Sequence, residues 1–132
     1  MNHPSIIQEA YQCITCSYSL ENMHFFTMVY AYNTYNDRRS LWSHIKDLSS
    51  TISDPWFIKG DINSIFHVDE KMGAAFSLVS SREFNACVDD DNLFEVNLLG
   101  ARYTWYRRHL NDVRARKIDR AFVNDSYLRV WI

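Results

Sequence analysis

Gly60-Asp61-Ile62-Asn63 is the stretch of this 132-residue chain whose residue types could do chemistry. On a strand-like segment, Asp61 and Asn63 stand two apart and point the same way. A carboxylate and an amide then converge on one spot, while Gly60 lets the backbone bend beneath them. A carboxylate that takes a proton from water, beside an amide that holds the water or a phosphate oxygen, suits hydrolysis of a phosphodiester. The same four residues also suit a plain turn capped by Asn and Asp. The elements that position them have to decide.

Those elements are read from period and punctuation. Ile14, Cys16 and Tyr18 alternate, and the run Phe25 to Ala31 follows a polar turn, Ser19 to His24, so two strands in a hairpin are expected. After Asn33 the period changes. Leu41, Trp42, Ile45, Leu48 and Ile52 keep helical spacing, with Asn36 or Asp37 as the N-cap and Pro55 beyond the end. Trp56, Phe57 and Ile58 form a short apolar run that delivers Lys59-Gly60-Asp61 as a loop at its carboxyl end. Met72 to Ser81 reads as a loop. Ser80-x-x-Glu83 reads as a capping box, followed by Phe84, Cys87 and Val88 on one helical face. The acidic turn Asp89-Asp90-Asp91, the apolar run Leu93 to Leu99, a strand Tyr103 to Tyr106, a basic loop and a strand Ile118 to Val123 complete the chain. Strand, helix, strand, helix and strand in succession predict a mixed α/β sandwich.

Composition narrows the class. A 47% apolar and 15% aromatic content supplies a core, and the length fits one domain. No apolar run approaches the roughly 18 residues of a membrane span, and Met1-Asn2-His3-Pro4 opens with neither a basic nor an apolar region. A soluble, unprocessed, intracellular protein without a membrane partner is expected, in the nucleus if its partner is DNA. Three cysteines would leave one thiol over in any disulfide framework, so a reducing compartment is the simpler account. The net charge of −2 hides a stretch from Arg102 to Arg120 with seven basic residues against two acids, a local +5. Such a stretch could follow a phosphate backbone, and it equally reads as a solvated charged loop between two strands.

Other constellations carry less. Cys13-x-x-Cys16 lies on a strand without a second pair, so it does not read as a zinc site. Asp89 to Asp91 lacks the spacing of a calcium loop. There is no Gly-rich phosphate loop, no Gly-x-Ser-x-Gly nucleophile elbow, and no sign of a small-molecule cofactor.

The ordered set of motifs resembles the endonuclease/exonuclease/phosphatase superfamily, and within it the endonuclease domain of plant LINE-type non-LTR retrotransposons. The likeness runs through the strand Phe25 to Tyr30 and Ala31-Tyr32-Asn33, then Arg38-Arg39-Ser40-Leu41-Trp42, and Pro55-Trp56 before Gly60-Asp61-x-Asn63. It continues through Arg82-x-Phe84-Asn85-x-Cys87, Gly100 ahead of Tyr103-Thr104-Trp105, and Asp119-Arg120-Ala121 followed by Asn124. It covers about residues 12 to 131.

The resemblance implies a DNase I-like fold, part of a four-layer α/β sandwich with mixed sheets flanked by helices. It implies Mg²⁺-dependent cleavage of DNA, with Asp61 orienting or deprotonating the attacking water and Asn63 on the scissile phosphate. Tyr30 would be a phenol near that phosphate and Asn33 a further contact. Asp119 would orient a catalytic histidine, and Thr104 and Trp105 would face DNA with Arg107 and Arg108. The departures point the other way. The family's metal-binding Glu and its companion Asn precede the hairpin, its Ser-Asp-His element follows the last helix, and neither has a counterpart here. None of His3, His24, His44, His67 and His109 takes the histidine's place. Residues 1–132 are thus expected to be a single incomplete domain without a metal ligand of its own and inactive as it stands. The alternative is a nonenzymatic remnant that binds nucleic acid weakly through residues 102–120. Tyr32 stands where the family more often has a small residue, so crowding of the site is expected.

Overall fold

The computed structural model describes residues 4–19, 21–73, 75–97, 100 and 102–131. In chain order the elements are β1 (Ser5–Ala10), β2 (Cys13–Ser19), β3 (Met23–Tyr30), α1 (Tyr35–Thr51), β4 (Trp56–Asp61), a 3₁₀ turn (Val68–Glu70), β5 (Lys71–Met72), α2 (Leu78–Asp90), β6 (Phe94–Glu95), β7 (Trp105–His109), β8 (Asp112–Arg116), β9 (Asp119–Val123) and α3 (Asp125–Trp131). A six-stranded sheet has the order β1-β2-β3-β4-β9-β6, and a three-stranded sheet the order β5-β8-β7. This is the expected mixed α/β arrangement.

Alternation of side chains explains the larger sheet. Cys13 and Thr15 on β2, Thr27 and Val29 on β3, Trp56 and Ile58 on β4, and Arg120 and Phe122 on β9 are all buried, and all lie on one face. Against that face pack Leu41, Ile45 and Leu48 of α1 and Phe84 and Cys87 of α2. Trp56 finds a partner for its indole N–H in Thr27 Oγ1 at 2.9 Å, and Thr27 is bonded in turn to Thr15 at 2.9 Å. α3 covers part of the other face, with Tyr127 against Phe57. The strand–helix–strand unit β3-α1-β4 makes that pair parallel, as a helical crossover requires.

Helix starts differ from the sequence reading by a few residues. Thr34, not Asn36 or Asp37, caps α1, and Asp37 returns the bond by accepting the Thr34 hydroxyl at 2.6 Å. Ser77 caps α2, so the expected box at Ser80 does not form. Ser80 instead receives Arg38 at 2.8 Å, and Glu83 pairs with Arg39 at 2.7 Å. The strand expected at Tyr103 to Tyr106 lies further on, at β7, and the basic loop is a hairpin of β7 and β8. Of the apolar run Leu93 to Leu99 the described part, 93–97, is strand only at β6, and Leu98 and Leu99 lie outside the described residues, as does Leu20 of the expected turn Ser19 to His24.

A buried cation joins the two sheets. Arg120 is 1% exposed, and its guanidinium donates to Glu70 at 2.6 Å, Glu95 at 2.9 Å and the Ser64 carbonyl at 3.2 Å, over the ring of Phe66. Burial alone would raise the Glu70 carboxyl. The hydrogen bond and charge of Arg120, with the backbone N–H groups of Phe66 and His67, outweigh it and hold Glu70 below the usual carboxylate range. A depressed folded-state pKa adds stability that is present above the unfolded value and is lost as pH falls through the folded one. Glu70→Gln is therefore expected to lower unfolding free energy at pH 7 by roughly 1.5–3 kcal/mol, the worth of a hydrogen bond to a charged group. In urea melts the gap should close as pH drops below the ordinary carboxylate range.

Candidate active site

Three neighbouring strands set the sequence-nominated side chains in a row. Tyr30 on β3 is in register with Asp61 on β4, and Asp61 with Asp119 on β9, all on the face away from α1 and α2. Gly60 makes the close pairing with β3 possible. Its φ is +148°, and a Cβ there would lie 2.0 Å from the Val29 carbonyl oxygen, so no other residue fits without moving the strand.

Beyond Gly60 the geometry departs from the strand reading. β4 ends at Asp61, and Asn63 adopts φ +53°, a conformation that Asn tolerates better than most residues. Asp61 Oδ1 accepts the Asn63 backbone N–H at 2.9 Å. The Asn63 side chain turns inward and is 5% exposed. Its Nδ2 donates to Asn33 Oδ1 at 2.8 Å and to the Ala31 carbonyl at 3.5 Å, while Oδ1 accepts from Arg116 at 2.5 Å. The amide is a cross-tie between the loop after β3 and the β7–β8 hairpin.

That hairpin closes a pocket of about 460 Å³ lined by Tyr30, Asn33, Asp61, Asn63, Trp105, Arg107, Arg114, Arg116 and Ile118. Register explains the lining. Trp105 pairs with Arg116 and Arg107 with Arg114, which places all four on one face. Arg116 lies over the Trp105 ring at 5.5 Å. Arg108 pairs with Val113 on the opposite face and does not line the pocket. Thr104 has a backbone task, its Oγ1 accepting the N–H groups of Ile118 and Asp119 at 3.1 Å each. Tyr32 is 42% exposed and is not part of the pocket wall, so it does not crowd the site.

Four further residues shape the pocket. Arg114 and Arg116 belong to the basic segment, and only a strand reading of that segment would have aimed them here. Arg38, 4% exposed, donates to the Tyr32 and Asn33 carbonyls at 3.0 and 2.8 Å and so holds the loop after β3. Gln12, also 4% exposed, accepts the Tyr32 N–H at 2.8 Å and donates to the Asp37 carbonyl at 2.9 Å. Neither has a signal in the sequence beyond the Arg38 motif position.

Electrostatics separate the two walls. Asp61 titrates above the usual carboxylate range, chiefly because burial disfavours its charge. The Asn63 N–H works against the rise, the neighbouring Asp119 adds to it, and Arg116 and Arg38 oppose it. Among the described residues no group of three or more His, Cys, Asp or Glu could hold a metal ion, and Asp61 is the one carboxylate in the pocket wall. Asp61 would be the single carboxylate ligand of a divalent ion in this wall, with the rest of an octahedral Mg²⁺ shell left to water and phosphate oxygens. Cys13 and Cys16 are free and lie on opposite faces of β2. No described helix is long and apolar enough to cross a membrane.

No protein-family model matches the sequence, and no curated protein matches it. Solved structures do match. The endonuclease domain of TRAS1, a telomere-specific non-LTR retrotransposon, is similar over 96% of this chain and 58% of its own, with a TM-score of 0.71 at 12% identity. The 3′ phosphatase NExo from Neisseria, bound to a product DNA hairpin, is similar over 95% of this chain and 58% of its own, with a TM-score of 0.66 at 16% identity. The chain thus spans a little under three-fifths of either structure, and over that span it has the DNase I-like fold of endonuclease/exonuclease/phosphatase domains.

Proposed function

We propose that this chain is a phosphodiester-recognising domain of the endonuclease/phosphatase type, of plant LINE-type retrotransposon descent, which binds nucleic acid and as the isolated 132 residues does not cleave it at a useful rate. The observation that carries the proposal is the pocket itself, with Tyr30, Asp61 and Asn63 facing Trp105, Arg107, Arg114 and Arg116 across one space. The descent is supported by the motif order and by the likeness in fold to the TRAS1 domain.

The chemistry follows from what each group can do. Asp61, desolvated and raised in pKa, is a better acceptor of a water proton than an ordinary carboxylate, which supports the role of a base. The guanidiniums opposite it would take the charge of a phosphate, the group on which a transition state develops more negative charge. Tyr30, 76% exposed at the mouth, would reach the same phosphate. What the described pocket wall does not supply is an imidazole to protonate the leaving oxygen. No described histidine lines it, so Asp119 has no imidazole to orient there. Groups that act as a unit fail together, so a base without its acid leaves little rate.

Nicking of supercoiled plasmid with Mg²⁺ tests the enzymatic part. The chain and its Asp61→Ala variant are expected to be indistinguishable, and cleavage abolished by Asp61→Ala would make the domain a nuclease in its own right. Binding of a DNA duplex should weaken steeply with salt, and Arg107→Ala and Arg114→Ala should each reduce the log–log slope by about 1. Salt-insensitive binding would return the segment 102–120 to a solvated surface. Asp61 itself carries a pH signature. With its folded pKa above the unfolded one, its ionised form costs stability at neutral pH, and the cost vanishes below both values. Asp61→Asn should raise Tm at pH 7, with the gain shrinking to nothing near pH 3.

A further inference from the structure

Every polar atom of the Asn63 side chain is already used, its two hydrogens by Asn33 and Ala31 and its oxygen by Arg116. The amide has no donor left for a ligand. Arg116 does. Among the described residues only its Nη2 is bonded, to Asn63 Oδ1, with the guanidinium over the face of Trp105, so Nη1 is left for a ligand, while Nε is unpartnered but too buried for a ligand to reach. Arg107 and Arg114 stand beside it on the same strand face. A fixed guanidinium with an unused donor, flanked by two more, is complementary to an oxyanion, above all to a phosphate that can accept two parallel bonds.

Position within the pocket sharpens this. Asp61 on the β4 wall, with Asp119 beside it outside the lining, repels an anion, which confines a phosphate to the hairpin wall. The same hairpin wall repels a metal ion, because a guanidinium occupies the oxygen of Asn63. Trp105, with one face under Arg116, and Tyr30 are exposed at 37% and 76%, aromatic surface on which unpaired bases next to the phosphate can stack. Resting on the nucleic-acid reading above, we infer that Arg116, with Arg107 and Arg114, holds a backbone phosphate of single-stranded nucleic acid directly, with no divalent ion between protein and phosphate.

The test is fluorescence anisotropy of a labelled oligothymidylate of about 12 nucleotides, within the usual span of such grooves, measured in EDTA and in Mg²⁺. Binding in EDTA should be at least as tight as in Mg²⁺, since the ion competes for the strand. Arg116→Gln should weaken it about 10- to 100-fold in both buffers, the worth of a hydrogen bond to a charged group. Arg116→Lys should recover part of the loss, keeping the charge without the fork. Asp61→Asn should tighten binding by removing a repulsion. Because Arg116 also ties Asn63, thermal melts check each variant's fold. Arg107→Ala repeats the test at an exposed position outside that tie, and it too should weaken binding in both buffers. Binding seen only with Mg²⁺ and lost in Asp61→Asn overturns the inference and leaves the nucleic-acid reading standing. Wild-type affinity in folded Arg116→Gln also overturns it, and a duplex bound as tightly as the single strand overturns the assignment to unpaired strands. Absence of binding in either buffer overturns the inference and the nucleic-acid reading together.

Discussion

A guanidinium buried to 1% exposure is expensive unless each donor and the charge itself are answered, and Arg120 is answered from four segments of the chain. Glu70 at the end of the 3₁₀ turn, Glu95 on β6, and the carbonyls of Ser64 and Lys117 all converge on it, and Phe66 and Phe84 close over it. Only one register of β9 permits this. A slip by one residue would put Asp119 into the core and Arg120 onto the open face. Because Arg120 fixes that register, Asp119 falls opposite Asp61, and Gly60, with no side chain, falls opposite Arg120 itself. The row of polar residues on one face of the sheet is the reverse side of an ion cluster on the other.

Buried polar groups also hold the rest of the pocket. Arg38 reaches from α1 to the carbonyls of the loop after β3 and to Ser80 of α2, so both helices are referenced to the site. Gln12 ties the same loop to the first two turns of α1 through Tyr32, Asp37 and Ser40. These are charges and amides in places where an apolar residue would pack, and directional bonds fix a position in a way that apolar contacts do not. The hydrophobic cluster of Leu41, Ile45, Trp56 and Phe84 stabilises the layers, and the polar ties set the site's angles.

How much of this could be read beforehand depended on the strength of the period. β2, β3, α1 and β4 were legible because one side of each is buried and the other is not, whereas Tyr30 and Asp119 were nominated by the resemblance and not by period. β1 was not, since five of its six residues are exposed and only pairing with β2 defines it. The β7–β8 hairpin was hidden for a related reason. β7 is exposed throughout, so arginines occupy positions where alternation would normally show a core side. Without that register Arg107 and Arg108 look equivalent, whereas the pairing sends them to opposite faces. Asn63 was misjudged in direction by the strand rule, because a left-handed residue breaks the alternation on which the rule rests. Gln12 had no signal and Arg38 only its place in the motif, since nothing in a sequence distinguishes a buried polar residue from the exposed majority of its type.

The two walls of the pocket belong to different sheets, so something must keep them at a constant separation. The link is short. β8 ends at Arg116 and β9 begins at Asp119, leaving two residues between an arginine of one wall and a carboxylate of the other. Both linking residues are bonded on their own account, Lys117 N–H to the Glu70 carbonyl at 2.9 Å and Ile118 N–H to Thr104 Oγ1 at 3.1 Å, while the Ile118 carbonyl accepts Ile62 N–H at 2.8 Å. The hairpin therefore has little freedom to swing away from β4. Since Glu70 also anchors Arg120, the same carboxylate-bearing residue that neutralises the buried cation holds the linker through its backbone. Opposite charges facing each other across a pocket would collapse onto one another if their supports were soft. Arg116 stays on Asn63 because its backbone is fixed two residues from a strand that the buried ion cluster will not let slide.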